Sequence, residues 1–353
     1  MRRGRMPSDP AAAEPFCPYF GTCGGCTMQD LGPAAYDAAK RGLVEEALRA
    51  ARIEIRPAPL VAAHGAGRRR ATLHARGPAV GYMAARSHDV VDITHCPILV
   101  PALSQRAPAL TRAIAATIGD CDVALTASDT GLDVAVRTQR RPKPERLTLL
   151  AQRAGVARLA LNGEIVLQKR PPALRMGKAV VELPIGSFLQ ATAAAEERLA
   201  ALVLEGVGPA RAVADLFCGA GPFTLRLAER ARVEAVDADR AALAALDKAV
   251  RHTQGLKPVT TRRRDLFREP LVPVELKGLD AVVFDPPRAG AEAQARELAR
   301  TDIGTIVAVS CEPRTFARDA AILMAGGYRL ETLTPLDQFA WSAHVELVGV
   351  FRK

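Results

Sequence analysis

The sequence predicts an α/β protein in two parts, a doubly wound parallel sheet at the C-terminal end preceded by a β-rich α+β half. Three observations carry this. After about residue 184, strand-like and helix-like segments alternate in steady succession. Between 60 and 185, short apolar runs are separated by Gly, Pro and Asn-Gly turns. The 353 residues exceed one ordinary domain and suit two.

Residues 1–16 are polar, contain Pro and Ala, and are expected to form a disordered tail. Residues 17–185 form the expected first domain. From 36 to 51, the spacing of Leu43, Ala47 and Leu48 reads as a helix. Strands are expected at 79–83, 90–93, 132–137, 147–150, 158–161 and 164–167, with a helix over 103–118. The dipeptide Asn162-Gly163 between the last two strands suits a two-residue hairpin turn, because both positions need positive φ.

The second domain is expected over 186–353. It opens with a helix at 191–204. Then come strand 212–217, helix 222–230, strand 233–237, helix 240–254, strand 281–284, helix 291–300, strand 305–310 and helix 313–325. Runs at 328–335 and 344–351 close the chain as strands. Strands joined by helices of this length pair in parallel, with helices over both faces.

Composition excludes several classes. Hydrophobic residues make up 49% and charged residues 24%, which is enough for buried cores and unlike a disordered, collagenous or coiled-coil chain. No uncharged apolar run is long enough to span a bilayer, so no membrane partner is expected. Met1-Arg2-Arg3-Gly4-Arg5 is not followed by an apolar stretch, which argues against a signal peptide and for a cytoplasmic protein, whether translation starts at Met1 or Met6. Seven cysteines, an odd number, suit thiol or metal chemistry better than a disulfide framework. No protein partner is expected.

The net charge of +10 is unevenly spread: residues 1–185 hold 26 Lys+Arg against 16 Asp+Glu, whereas 186–353 hold 22 of each. A basic half beside a neutral one suits a polyanion-binding module joined to a catalytic one, with Arg68-Arg69-Arg70 as a local run. An Arg-rich solvated surface is the alternative.

Asp215-Leu216-Phe217-Cys218-Gly219-Ala220-Gly221-Pro222-Phe223-Thr224 ends the first strand of the second half and opens its first helix. Glycines there let a ligand approach the backbone, and free N–H groups face it. Thr224 replaces the third glycine of a dinucleotide fingerprint. Asp215 would repel a pyrophosphate and suits the cationic amino-acid end of S-adenosylmethionine. Asp237 ends the next strand, where a carboxylate can accept from both ribose hydroxyls.

Asp285-Pro286-Pro287-Arg288-Ala289-Gly290 follows the strand at 281–284, and its prolines stiffen the loop that holds Asp285. Asp285 could meet the imide edge of a base or the methionine end of the cofactor. Cys311-Glu312-Pro313 leaves the next strand at the same edge of the sheet, beside a helix N-terminus whose dipole would favour thiolate. Cys218 reads as packing and Cys121 as inert. Glu346, in His344-Val345-Glu346, is placed to act as a base. Cys17, Cys23 and Cys26 give Cys-x5-Cys-x2-Cys, and Cys96-Pro97 lies far downstream. Four such thiolates could bind zinc or an iron–sulfur cluster, and spacing does not choose between them.

Ser310-Cys311-Glu312-Pro313-Arg314-Thr315-Phe316-Ala317-Arg318-Asp319, the two acidic loops, His344–Val348 and Gly186-Ser187-Phe188-Leu189-Gln190 together resemble the bacterial RNA uracil-5-methyltransferases. The iron–sulfur enzymes acting on 23S ribosomal RNA are the most similar. The resemblance runs from about Cys17 to the C-terminus.

It implies a Rossmann-like S-adenosylmethionine-dependent methyltransferase domain over 186–353 and an iron–sulfur and RNA-binding domain over 17–185. It makes Cys311 the nucleophile and Glu346 the proton-removing base, with Gln190, Phe217, Asp237, Asp265 and Asp285 as S-adenosylmethionine contacts. It favours a [4Fe–4S] cluster on Cys17, Cys23, Cys26 and Cys96, with a role in RNA binding or folding. The reaction needs a thiolate because carbon 5 of uracil is a poor nucleophile until a group adds at carbon 6. The target uridine is expected to leave its stack to reach the pocket.

Two departures stand out. Thr192 occupies a place where the family usually has Asn, and the sixteen residues before Cys17 cannot form the small β-barrel with which many relatives begin. Methylation of the T-loop uridine of transfer RNA, and a catalytically silent RNA-binding iron–sulfur protein, are the alternative readings.

Overall fold

A computed structural model describes residues 12–140 and 142–353. Residues 1–11 of the expected tail lie outside the described residues. Residues 12–16 are not a free tail: Ala12 bridges Leu31, Ala13 N–H donates to Asp30 O at 2.8 Å, and Phe16 meets Trp341 edge-on.

The first half contains α1 (Pro33–Ala50), β1 (Val61–Ala62), β2 (Arg70–Arg76), β3 (Ala79–Met83), β4 (Val90–Asp92), α2 (Pro101–Ser104), α3 (Arg106–Ile118), β5 (Cys121–Ser128), β6 (Gly131–Arg137), α4 (Pro144–Ala154), β7 (Arg158–Leu161), β8 (Glu164–Gln168), β9 (Ala173–Met176) and β10 (Ala179–Glu182). Seven of these strands form one sheet in the order β4-β3-β2-β5-β6-β7-β8. It is antiparallel except where α4 carries the chain over to the parallel pair β6–β7. Leu73, Val123, Leu125 and Val134 of the sheet pack with Ile114 of α3. The hairpin turn is as the sequence implies, with Asn162 at φ 50° and Gly163 at φ 91°.

Residues 147–150, expected as a strand, lie inside α4. Pro144 starts that helix, Gly155 ends it in the left-handed conformation, and Leu147 and Ala151 bury one helical face. A four-residue apolar run is too short to declare its period. Strands β2 and β5 were not distinguished in the sequence.

The second half contains α5 (Ala193–Val207), β11 (Ala212–Leu216), α6 (Thr224–Leu227), β12 (Arg232–Asp237), α7 (Arg240–Arg251), β13 (Val259–Arg263), β14 (Ala281–Phe284), α8 (Glu292–Leu298), β15 (Thr305–Ser310), α9 (Pro313–Ala325), β16 (Arg329–Asp337) and β17 (Glu346–Arg352). Its sheet runs β1-β16-β17-β15-β14-β11-β12-β13, and β13 through β15 are parallel. β17 runs antiparallel to both neighbours. Ile306 and Phe284 face Phe316 and Leu323 on one side, while Val283 and Val309 face Leu199 and Val203 on the other. Burial on both faces explains why these strands read as unbroken apolar runs.

The expected division at 185 is crossed. α1 packs Val44 and Leu48 into the second core, and β1 extends the second sheet beside β16. The chain moves from β11 outward to β13, then returns to β14, so its direction reverses between β11 and β14. Such a reversal opens a crevice at the carboxyl ends of the strands. β17 runs the opposite way, so its first residue, Glu346, lies at that same edge.

Candidate active site

A cavity of about 570 Å³ fills this crevice, a size suited to a nucleoside-bearing ligand. Gln190, Phe217, Asp237, Asp265, Asp285, Cys311 and Glu346 all line it. They come from seven segments far apart in the chain.

Phe217, just after β11, is held at φ 60°, an unfavourable conformation for a residue with a Cβ. This turns the glycine loop around the cavity and sets the Phe217 ring 5.4 Å from that of Phe267. Gly221 sits at φ +89°, and a Cβ there would stand 2.5 Å from Leu246 Cδ1. Asp237 is fixed by two backbone donors, Gly219 N–H at 2.8 Å and Asp239 N–H at 2.7 Å. Each carboxylate oxygen keeps a lone pair for a diol. Asp265 accepts from Phe267 N–H at 3.0 Å, so it also places that ring.

Asp215 does not take the role expected of it. It is fully buried behind the loop, its Oδ2 accepts from Thr224 Oγ1 at 2.5 Å, and its Oδ1 has no partner. Burial pushes its carboxyl up to about 7. A strand covered on both faces leaves its fourth residue no route to the cavity. Thr224, in place of a glycine, supplies the hydrogen bond that makes this burial tolerable.

Burial, with Glu346 adding repulsion, pushes Asp285 up to about 8, and burial pushes Glu346 up to about 7. Burial and then the facing Glu346 and Asp285 push the Cys311 thiol up to about 11, opposed by Arg288. Desolvation and the two facing carboxyls thus oppose the thiolate that the helix terminus favours. Cys218 and Cys121 are buried.

Gln338 lines no recognisable motif and was missed. It is buried, and it donates from Nε2 to Glu346 Oε1 and to Gln190 Oε1, both at 2.8 Å. Gln190 in turn donates to Asp285 Oδ2 at 3.2 Å. The available signal was position, because an antiparallel β16–β17 hairpin brings the residue after β16 beside the start of β17.

Arg68-Arg69-Arg70 is not an open basic patch. Arg69 is buried against Glu196 at 2.5 Å and donates to Gln190 O at 3.1 Å, which clamps the segment carrying Gln190. Arg68 lies over the Phe339 ring and Arg70 over that of Phe188. Thr192 does not face the cavity; it caps α5 by accepting from Ala195 N–H and donates to Ala63 O.

The loop between β16 and β17 is built onto the N-terminal segment. Lys40, fully buried in α1, donates to Asp337 Oδ1 at 2.8 Å and to the carbonyls of Phe339 and His344. Tyr36 O–H donates to Asp337 Oδ2, and Thr27 and Met28 N–H both donate to Trp341 O.

Cys17, Cys23, Cys26 and Cys96 line one cavity of about 140 Å³, together with Arg68, Tyr82 and His95. Burial raises the thiols of Cys23, Cys26 and Cys96, the last to about 11. Among the described residues no three His, Cys, Asp or Glu side chains converge as a formed metal centre. The four cysteines share a cavity of soft sulfur donors, a set whose chemistry suits zinc or an iron–sulfur cluster, but the expected four-thiolate centre is not formed among the described residues. No helix among the described residues is long and apolar enough to cross a membrane.

A model of the tRNA (uracil-5-)-methyltransferase family matches residues 146–353. An uncharacterized RNA methyltransferase of Brucella suis biovar 1 is 48% identical over 358 residues, covering 99% of this chain and 86% of the relative. A 23S rRNA (uracil(1939)-C(5))-methyltransferase of Chromohalobacter salexigens is 34% identical over 372 residues, covering 97% and 77%. Among solved structures, the tRNA (uracil-54, C5)-methyltransferase of Pyrococcus abyssi in complex with S-adenosyl-L-homocysteine superposes with a TM-score of 0.74. It is 24% identical and covers 93% of this chain and 86% of that one, so the two share a fold. With the family model spanning more than half of the sequence and these relatives aligned along nearly all of it, the chain belongs to the S-adenosylmethionine-dependent RNA (uracil-5-)-methyltransferases.

Proposed function

We propose that this enzyme methylates carbon 5 of one uridine in 23S ribosomal RNA, through a transient bond between Cys311 and carbon 6 of the ring. The observation supporting this is the convergence of Cys311, Glu346 and the candidate cofactor contacts on one cavity. S-adenosylmethionine supplies an electrophilic methyl group when bound. Asp237 is suited to its ribose diol, Phe217 and Asp265 to the adenosine end, and Gln190 and Asp285 to the methionine end.

The Cys311 proton passes to solvent before addition, and Arg288 stabilises the charge that remains. The sulfur then adds to carbon 6, and the electrons of the 5,6 double bond move toward carbon 5 and the carbonyl at position 4. Carbon 5 takes the methyl group, and the departing electron pair stays on the cofactor's sulfur. Glu346 removes the proton on carbon 5, the double bond reforms, and the Cys311 sulfur leaves.

Similarity to the Chromohalobacter 23S rRNA enzyme and the four-cysteine cavity support ribosomal over transfer RNA. Cys17, Cys23, Cys26 and Cys96 would hold a [4Fe–4S] cluster, which would supply a rigid crosslink and no electrons to the reaction. A ribosomal RNA substrate would fit a cytoplasmic enzyme.

The test is incubation with RNA carrying 5-fluorouridine in the presence of S-adenosylmethionine. A covalent RNA–protein adduct forms with wild type and not with Cys311→Ala. Absence of adduct from wild type, or continued methylation by the variant, would sink the mechanism. Mapping 5-methyluridine in ribosomal and transfer RNA from cells with and without the gene decides the substrate.

A further inference from the structure

The cavity is lined by the buried carboxyl of Glu346 at the start of β17 and the half-buried one of Asp285 just after β14, and two amides, Gln338 and Gln190, link them. Gln338 Oε1 accepts from Ala191 N–H at 2.7 Å. A backbone N–H can only donate, so this bond settles which end of the amide is oxygen. Nε2 then faces the other way, and both of its hydrogens are committed, one to Glu346 Oε1 and one to Gln190 Oε1. Gln190 is thereby oriented in turn, and its own Nε2 meets Asp285 Oδ2. One backbone N–H thus sets the polarity of a chain running Ala191, Gln338, Gln190, Asp285, with Glu346 as a branch.

We propose that Gln338 is a positioning residue that aims the Glu346 carboxylate at carbon 5 and fixes the donor face of Gln190. This rests on the reading of Glu346 as the base. Donation to the ionised carboxylate also favours its charged form, so Gln338 holds the base in its working state. The other groups that act on Glu346 are Arg288, which favours its charge, and Asp285 and Cys311, which share its pocket.

Two variants separate positioning from mere packing. Gln338→Leu removes both donors and the acceptor. Gln338→Glu keeps an acceptor for Ala191 N–H and nearly the same shape, but replaces the two amide donors with a second carboxyl beside Glu346, so it remains informative if the first variant does not fold. Methylation of total RNA from a strain lacking the gene is followed across pH, with S-adenosylmethionine retention measured by equilibrium dialysis. In both variants the midpoint of the rising limb moves up by about one pH unit, so the rate below it falls about tenfold. The deficit shrinks at high pH, whereas S-adenosylmethionine retention weakens to the same extent at every pH, because Gln190 loses the hydrogen bond that orients it. A wild-type pH profile, or a rate loss of equal size at every pH, overturns the proposal. If the 5-fluorouridine adduct fails to form even with wild type, the base assignment falls first and this inference falls with it.

Discussion

Replacing Glu346 by Gln separates what this side chain does for the reaction from what it does to the fold. The carboxyl is only 3% exposed, and burial pushes it from 4.5 up to about 7. A carboxyl with a raised folded-state pKa lowers stability as pH rises, because the unfolded chain ionises first. The penalty is absent below about pH 4.5, grows through the interval, and is complete above about pH 7. The shift corresponds to at most about 3 kcal/mol. Glutamine has nearly the same shape, and its amide oxygen can take the Gln338 donation, so that hydrogen bond survives.

The Glu346→Gln protein should therefore match wild type in stability near pH 4.5 and exceed it by up to about 3 kcal/mol at pH 8. Urea unfolding of both proteins across that range measures the gap. Turnover should fall by about two to four powers of ten, and the covalent RNA–protein species should accumulate because the proton on carbon 5 stays in place. A gap that does not widen with pH refutes the electrostatic argument. Rapid, complete release of RNA from the variant shows that another group removes the proton.

Lys40→Met should cost about 3 kcal/mol, since it leaves the buried Asp337 with only Tyr36 and His64 as partners and frees two loop carbonyls. Chemical denaturation measures this, and a loss below about 1 kcal/mol would show that the ion pair is not a strut. Reconstitution with iron and sulfide under anaerobic conditions should give wild type the visible absorption of a cluster, and Cys96→Ser should lack it. Cofactor affinity in that variant should change by less than about threefold, because Cys96 lines a different cavity. A wild-type protein that takes up no iron contradicts the cluster.

Much of the second half was legible because its strands bury both faces and its helices one. The helix at 313–325 declares itself by its period, and the unbroken apolar runs at 281–284 and 305–310 are read as strands from their alternation with such helices. The short helix α6 fell below the expected 222–230, and the run at 147–150 was assigned the wrong period, because neither carries two full turns of pattern. The cavity residues were legible for a different reason. Chemistry at the end of a parallel strand sits in a short loop, so Phe217, Asp285 and Cys311 each lie within a few residues of a strand end.

The residues that the sequence could not reveal act across distance. Gln338 meets Ala191 from 147 residues away, and Arg69 meets Glu196 from 127. Nothing local marks either as different from an ordinary polar side chain. The thiol of Cys311 shows the same divide most clearly. Its place beside a helix start could be read from neighbouring letters, and that place alone argued for thiolate. Burial and the carboxyls delivered at the ends of β14 and β17 push the thiol the other way, and a field summed over distant strands exists only once the chain has folded.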